Sequence, residues 1–233
     1  MTQVRLYRLN SIPEVTPWPG RWMLSAQEVA RSNRWLNPAR RNEFLWGRAL
    51  MRYVMAQHGV PRTALKFAPG GKPFLEAGGD LNLSHGAGQV LVGYCPEGWL
   101  GVDVETHAPR DTTLMERFFH GHERDWMGQD TARLHRLWTV KESALKALGT
   151  GVSGNPARVW FDPAGGGITV MDAPVPQACD AWWMEGDGWT AAAVHVRVSA
   201  HAPRAQWEQC HLTASDVLGW MERSGRTEAR VQA

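Results

Sequence analysis

The chain has 233 residues and a formal charge of +2, with 25 Lys and Arg against 23 Asp and Glu, which argues against a dedicated nucleic-acid binder. Hydrophobic residues make up 43% and charged residues 21%, which excludes a disordered chain, a coiled coil and a collagenous repeat. No apolar run approaches the ~18 residues that cross a bilayer. The N-terminus lacks the apolar core of a secretory signal, so we expect a cytoplasmic protein.

The first half of the chain is predicted to hold a strand, two helices and a group of short strands. Residues 4–9 alternate between apolar and basic, which is typical of an edge strand. A capping box that begins at Ser25 starts one helix, and Asn37 before Pro38 starts a second helix that ends at Gly59. Strand-like runs follow at residues 65–68, 81–84, 89–95 and 99–105.

The second half repeats this order of elements. A capping box at Thr113 predicts one helix start, and an apolar stripe predicts a helix from Thr131 to Gly149. Strand candidates follow at residues 157–161, 167–171, 180–184 and 189–198. A short helix is predicted at about residues 214–222.

This layout favours an α+β fold, because helices and short strands are mixed without regular βαβ alternation. The parallel order of the two halves suggests two similar α+β lobes that meet near residue 100. We expect an N-terminal lobe at 1–100, a C-terminal lobe at 101–222 and a flexible tail at 223–233.

The segment GVDVE, residues 101–105, places two carboxylates close together. Alternate side chains of a strand share a face, so Asp103 and Glu105 point the same way while the valines between them fill the core. Neighbouring carboxylates repel unless a cation lies between them, and hard oxygen ligands suit Mg²⁺. The alternative is a solvated strand face whose acids bind nothing.

The segment LWTVKESALKALG, residues 137–149, places Glu142 and Lys146 on one face of a helix. One interpretation is a third metal carboxylate beside a lysine that neutralises phosphate charge. The alternative is an ordinary helix-stabilising ion pair, worth about 0.2–0.5 kcal/mol.

The segment LNLSHG, residues 81–86, ends a predicted strand with Ser84 and His85. Hydroxyl, imidazole and backbone N–H groups together can bind a phosphate. Two alternatives remain open. The pair could belong to a hydrolase, although no G-x-S-x-G elbow is present, or His85 could be a structural residue.

Basic residues are concentrated on the first two helices and on one turn. Lys72 lies in the turn GGKPF, where the backbone can approach a ligand closely. The spacing of Arg41, Arg48 and Arg52 puts them on roughly one helix face, which fits a small ligand with several phosphates. Nucleic acid is the rival ligand.

Taken in chain order, the motifs GKPF, NLSH, GVDVE, RFFHGHE and WTVKESALK resemble the signature set of the Sfp-type 4'-phosphopantetheinyl transferases. The resemblance implies transfer of the phosphopantetheine arm of coenzyme A to a serine of an apo acyl or peptidyl carrier protein, with release of 3',5'-ADP. It also implies a monomer of two α+β lobes related by a pseudo-twofold axis, with coenzyme A bound between the lobes.

The same resemblance implies roles for individual residues. Asp103, Glu105 and Glu142 would hold Mg²⁺ on the pyrophosphate of coenzyme A, and Lys146 would lie against the same phosphates. Arg52 matches an arginine of the family's helix, with either Arg41 or Arg48 beside it. The implied contacts to coenzyme A are Arg41, Arg48, Arg52, Lys72, Pro73, Ser84, His85 and Lys146.

The implied catalytic residues are Glu142 and Lys146. Glu142 is the first candidate for the base, directly or through a metal-bound water, and Glu123 is the second. We expect the carrier protein to dock near the second-lobe helices at 117–127. Candidate docking side chains there are Phe118, Phe119 and Trp126.

Two alternative functions remain open at this point. One is a Mg²⁺-dependent phosphohydrolase that uses the same three acids without a protein acceptor. The other is a non-catalytic relative that binds carrier proteins. The second alternative is disfavoured because every position expected to bind metal or phosphate is filled.

Overall fold

The computed structural model describes residues 2–76, 78–86, 88–108, 117–151, 154–162, 167–170 and 177–231. Helices and mostly antiparallel sheets are mixed along the chain, so the predicted α+β class is confirmed. The helix start predicted at Thr113 lies outside these ranges. Within them, no helix combines the length and the apolar character that a membrane span requires.

The first lobe contains a four-stranded sheet covered by a long helix. The predicted caps are present: Ser25 and Glu28 form both hydrogen bonds of a capping box, and Asn37 accepts from Ala39 and Arg40. The elements are β1 (Gln3–Leu9), α1 (Ala26–Asn33), α2 (Pro38–Gln57), β2 (Leu65–Phe67), β3 (Pro73–Leu75), β4 (Asp80–Gly86) and β5 (Gln89–Cys95).

The second lobe contains a five-stranded antiparallel sheet in the order β6-β10-β9-β8-β7. One face of this sheet packs on α4, whose buried apolar residues include Leu137, Val140 and Ala144. The elements are β6 (Trp99–Thr106), α3 (Gly121–Met127), α4 (Thr131–Ala147), β7 (Val159–Asp162), β8 (Gly167–Val170), β9 (Gln177–Gly186) and β10 (Trp189–Val196).

The C-terminal residues return to the first lobe, which corrects three predictions. Strand β11 (Gln206–Leu212) pairs in parallel with β1, so β1 is an interior strand and not an edge strand. Helix α5 (Ala214–Val231) packs on α2, with Val217 and Met221 in the first-lobe core. The predicted lobe boundary at residue 222 is therefore wrong, and the predicted tail is helical as far as Val231.

The two lobes are joined by hydrogen bonds from β6 to side chains of β4. The acceptors alternate along β4 and share one face, as the period of a strand requires. Asp80, Asn82 and Ser84 accept from the backbone N–H groups of Leu100, Val102 and Val104, at 2.8, 3.1 and 3.2 Å. These bonds fix the position of β6 against the edge of the first sheet.

Gly101 sets the distance between β6 and α4. A Cβ atom at this position would lie 1.9 Å from the Ser143 carbonyl oxygen and 2.4 Å from the Ala147 nitrogen. We expect Gly101→Ala to destabilise the protein by about 3 kcal/mol, because backbone atoms must separate to make room. Urea unfolding measures the change. Gly121→Ala is the control, because a Cβ there meets nothing within 4 Å; equal stability of the two variants would refute the close approach.

Candidate functional site

Three side chains from β4, β6 and α4 meet where the two lobes join. Asp103 Oδ1 lies 2.6 Å from Lys146 Nζ and 3.0 Å from Ser84 Oγ, and Lys146 Nζ lies 3.0 Å from Ser84 Oγ. We call this group the Ser84–Asp103–Lys146 triangle. Asp103 is only 4% exposed, whereas 27% of the Lys146 side chain is exposed. The ammonium group can therefore reach a ligand from the solvent side.

The triangle leaves one carboxylate oxygen unsatisfied. Asp103 Oδ2 is buried and has no hydrogen-bond partner among the described residues. Glu105 is half-buried on the same strand, and Glu142 is buried one turn before Lys146 on α4. In the described ranges, no three Asp, Glu, His or Cys side chains are close enough to form a ready metal site.

His85 lies on the next position of β4 and contacts α2. Its Nδ1 atom is 3.3 Å from Glu43 Oε2, which in turn lies 3.5 Å from Arg40. Burial lowers the pKa of His85 below its usual value, and the charges of Lys146 and Arg40 lower it further, while Glu43 acts in the opposite direction. The free imidazole is therefore mostly neutral at neutral pH.

Lys72 joins the β2–β3 hairpin to both lobes. Its ammonium group lies 3.0 Å from Asp80 Oδ2 and 2.8 Å from the Ala147 carbonyl oxygen. The second contact places a cation at the C-terminus of α4, where the helix dipole favours it. Pro73 is buried and begins β3. Lys72 is thus engaged by protein groups at the edge of the predicted site.

The predicted arginine face is not assembled as expected. Arg48 and Arg52 are buried and share Glu28 of α1, at 3.1 and 2.6 Å. Burial lowers the pKa of Arg48 to about 10. Arg41 is exposed and lines a separate cavity of about 450 Å³ between α1, α2 and residues 14–24. Spacing along α2 predicted one face, but Glu28 holds only two of the three arginines.

Glu123 occupies a buried ion pair, which corrects its prediction as an alternative base. Glu123 and Lys141 are both 0% exposed and lie 2.9 Å apart. Glu123 also accepts from the backbone N–H groups of His120 and Phe161. A base must reach its substrate, and this carboxylate is fully enclosed. Phe119, predicted as a docking residue, also lies in the core, beneath Lys141.

Several residues that shape the site were not predicted. Glu28 was predicted only as part of a capping box, and Glu43 was not singled out. Asp80 and Asn82, which hold β6, were also missed. The period-two pattern of polar residues before Ser84 in DLNLS could have indicated a strand face that bonds to a neighbour.

A comparison with family models matches residues 100–201 to the 4'-phosphopantetheinyl transferase superfamily. We call residues 100–201 the superfamily segment. Asp103, Glu105, Glu142 and Lys146 all lie within this superfamily segment, and the resemblance predicted from the motifs is confirmed. Ser84 and His85 precede the segment. In the folded chain, Ser84 contacts Asp103 and Lys146 of the segment.

Individual phosphopantetheinyl transferases are also similar in sequence to part of this chain. The 4'-phosphopantetheinyl transferase HetI of Nostoc sp. is 33% identical over 145 residues, which are 56% of this chain and 61% of the relative. The L-aminoadipate-semialdehyde dehydrogenase-phosphopantetheinyl transferase of Xenopus laevis is 31% identical over 176 residues, 63% of this chain and 58% of the relative. The chain spans about three fifths of the length of the curated relatives it matches.

A crystal structure of Helicobacter pylori holo-[acyl-carrier-protein] synthase in complex with coenzyme A also aligns with part of the chain. The TM-score is 0.35 at 17% sequence identity, covering 42% of this chain and 98% of the other. A likeness of this size carries no functional conclusion.

Proposed function

We propose that this protein transfers the 4'-phosphopantetheine arm of coenzyme A to a serine hydroxyl of an apo carrier protein and releases 3',5'-ADP. The observation that carries the proposal is the Ser84–Asp103–Lys146 triangle, because it joins residues of three separate signature motifs at the boundary between the lobes. All three residues come from one chain, so a monomer can provide the complete site.

The charges around the triangle suit a ligand that contains phosphate. Lys146 presents a partly exposed cation, and a lysine near a transferring phosphoryl group neutralises charge that develops in the transition state. Lys72 pairs with Asp80 at one end of β4, and His85 lies near the other end of the same strand, next to Ser84. We infer that the diphosphate binds at Lys146 and the adenylate part lies toward His85.

The residues present also fit a magnesium ion. Asp103 Oδ2 is a buried oxygen without a partner in the described part of the chain, and carboxylates such as those of Asp103, Glu105 and Glu142 are the type of ligand that Mg²⁺ prefers. When bound, the ion would neutralise charge on the pyrophosphate. Asp103 is the ligand that the geometry supports best.

The transfer requires one proton acceptor. The serine oxygen forms a bond to phosphorus, the bond from phosphorus to the bridging oxygen breaks, and 3',5'-ADP leaves with the electron pair. We infer that Glu142 accepts the serine proton, directly or through water, because it lies one helical turn from Lys146. Glu123 is enclosed and does not compete for this role.

Intact-protein mass spectrometry tests the proposal. A panel of apo carrier proteins is incubated with the protein, coenzyme A and Mg²⁺, and we expect one carrier to gain a single phosphopantetheine. The gain should disappear with EDTA and with a carrier whose acceptor serine is replaced by alanine. Hydrolysis of coenzyme A without a carrier would support a phosphohydrolase instead, and absence of coenzyme A binding would refute the proposal.

A further inference from the structure

Glu43 of α2 approaches His85 at the edge of the triangle. Glu43 Oε2 and His85 Nδ1 are 3.3 Å apart, and 14% and 29% of the two side chains are exposed. Both atoms are buried, and neither has a full hydrogen bond within the described residues. The contact is therefore an electrostatic one between a carboxylate and a mostly neutral ring, and it is poised to strengthen if the ring gains a proton.

The charges that face His85 come from two helices. Glu43 and Arg40 face it from α2, and Lys146 faces it from α4. Burial disfavours the imidazolium most, the two cations disfavour it further, and Glu43 is the one group named here that favours it. Any negative ligand that approaches His85 adds a second favourable charge.

The geometry fixes which ring nitrogen can meet a ligand. Nδ1 faces Glu43, so Nε2 remains for an incoming phosphate. A neutral ring that donates Nδ1–H toward Glu43 presents only a lone pair at Nε2, which repels a phosphate oxygen. An imidazolium donates at both nitrogens and satisfies the carboxylate and the phosphate together.

We propose that Glu43 is a positioning residue that makes His85 take up one proton from solvent when a phosphate of coenzyme A binds. The Nδ1–H group then donates to Glu43 and the Nε2–H group donates to the phosphate. This inference rests on the proposed function, since it assigns coenzyme A as the ligand. Affinity for coenzyme A therefore falls as the pH rises, because the binding-competent imidazolium becomes scarcer.

Calorimetric titration with coenzyme A in EDTA tests the inference without a metal ion. Titration in two buffers of different ionisation enthalpy gives the number of protons taken up per ligand. We expect more uptake by the wild-type protein than by His85→Gln, and about tenfold weaker binding by Glu43→Gln at about pH 8, the loss expected for one unit of pKa. At about pH 5.5, where a larger fraction of the ring is protonated in both proteins, the difference should become smaller.

Two further variants separate positioning from general effects. Glu43→Asp keeps the charge and should recover part of the affinity at high pH. Glu208→Gln removes an equally charged first-lobe carboxylate that pairs with Arg5, far along the sheet on β11, and should bind like the wild type.

The outcomes are distinct. Equal proton uptake by the wild type and His85→Gln, or an equal effect of Glu43→Gln at both pH values, would overturn the role of Glu43 while leaving the proposed function in place. No binding of coenzyme A by the wild type would overturn both. If Glu43→Gln folds poorly, Glu43→Asp still tests the role of Glu43, and the two-buffer comparison of the wild type with His85→Gln still tests proton uptake by His85.

Discussion

Replacing Asp103 with alanine is expected to slow phosphopantetheine transfer by about a thousandfold, the range seen when one preorganised electrostatic group is lost. The substitution removes the oxygen that holds Lys146 and Ser84, and also the buried Oδ2 atom that fits a magnesium ion. Mass spectrometry of the carrier over time measures the rate. Stability should change little, because Lys146 is partly exposed and keeps its hydration.

Asp180→Asn is the matched control for this substitution. Asp180 of β9 is also a buried carboxylate of the second lobe, but it pairs with Arg197 and accepts from the backbone N–H group of Ala205. The control should lose stability and keep its transfer rate. Full activity of Asp103→Ala at limiting Mg²⁺ would contradict the metal assignment.

Replacing Lys141 with methionine is expected to lower the free energy of unfolding by about 3–5 kcal/mol, the cost of leaving one member of a buried ion pair alone. Lys141 and Glu123 are both fully enclosed, and Lys141 also donates to the carbonyl oxygens of Pro156 and Val159. Urea unfolding followed by circular dichroism measures the loss.

The double variant Lys141→Met with Glu123→Gln decides what the pair does. The removal of both charges should restore much of the lost stability, because no uncompensated charge remains in the core. Glu123→Gln alone should keep most of the transfer rate if the protein is folded. A stable Glu123→Gln variant that lost the chemical step would return Glu123 to the role of base.

Local sequence signals predicted the elements that carry the site. The caps at Ser25 and Asn37 and the strands that became β5 and β6 follow from neighbours only a few residues away. The alternation in GVDVE and the four-residue spacing of Glu142 and Lys146 depend on the same short-range geometry. Three of the five motifs, GVDVE, RFFHGHE and WTVKESALK, lie within residues 100–201, which match the superfamily.

Contacts between residues far apart in the chain could not be predicted from these local sequence patterns. Strand β11 has no fully buried residue, and its pairing with β1 joins residues about two hundred positions apart. Likewise, the arginines of α2 were predicted to bind a phosphate ligand, but in the structure Arg48 and Arg52 both pair with Glu28. Glu123 was predicted to be an accessible acid, but in the structure it is buried in an ion pair with Lys141.

The α+β class and the main helices and strands follow from the sequence alone, which also named Ser84, Asp103 and Lys146 as candidate site residues without predicting their contacts. Helix caps, strand alternation and helical spacing act within a few residues, so they can be read without the fold. Which charges remain available depends on the folded structure: Lys146 stays partly exposed, Lys141 and Glu123 neutralise each other in the core, and Glu43 faces His85. Burial and ion pairing depend on distances between remote segments, and those distances exist only once the chain has folded.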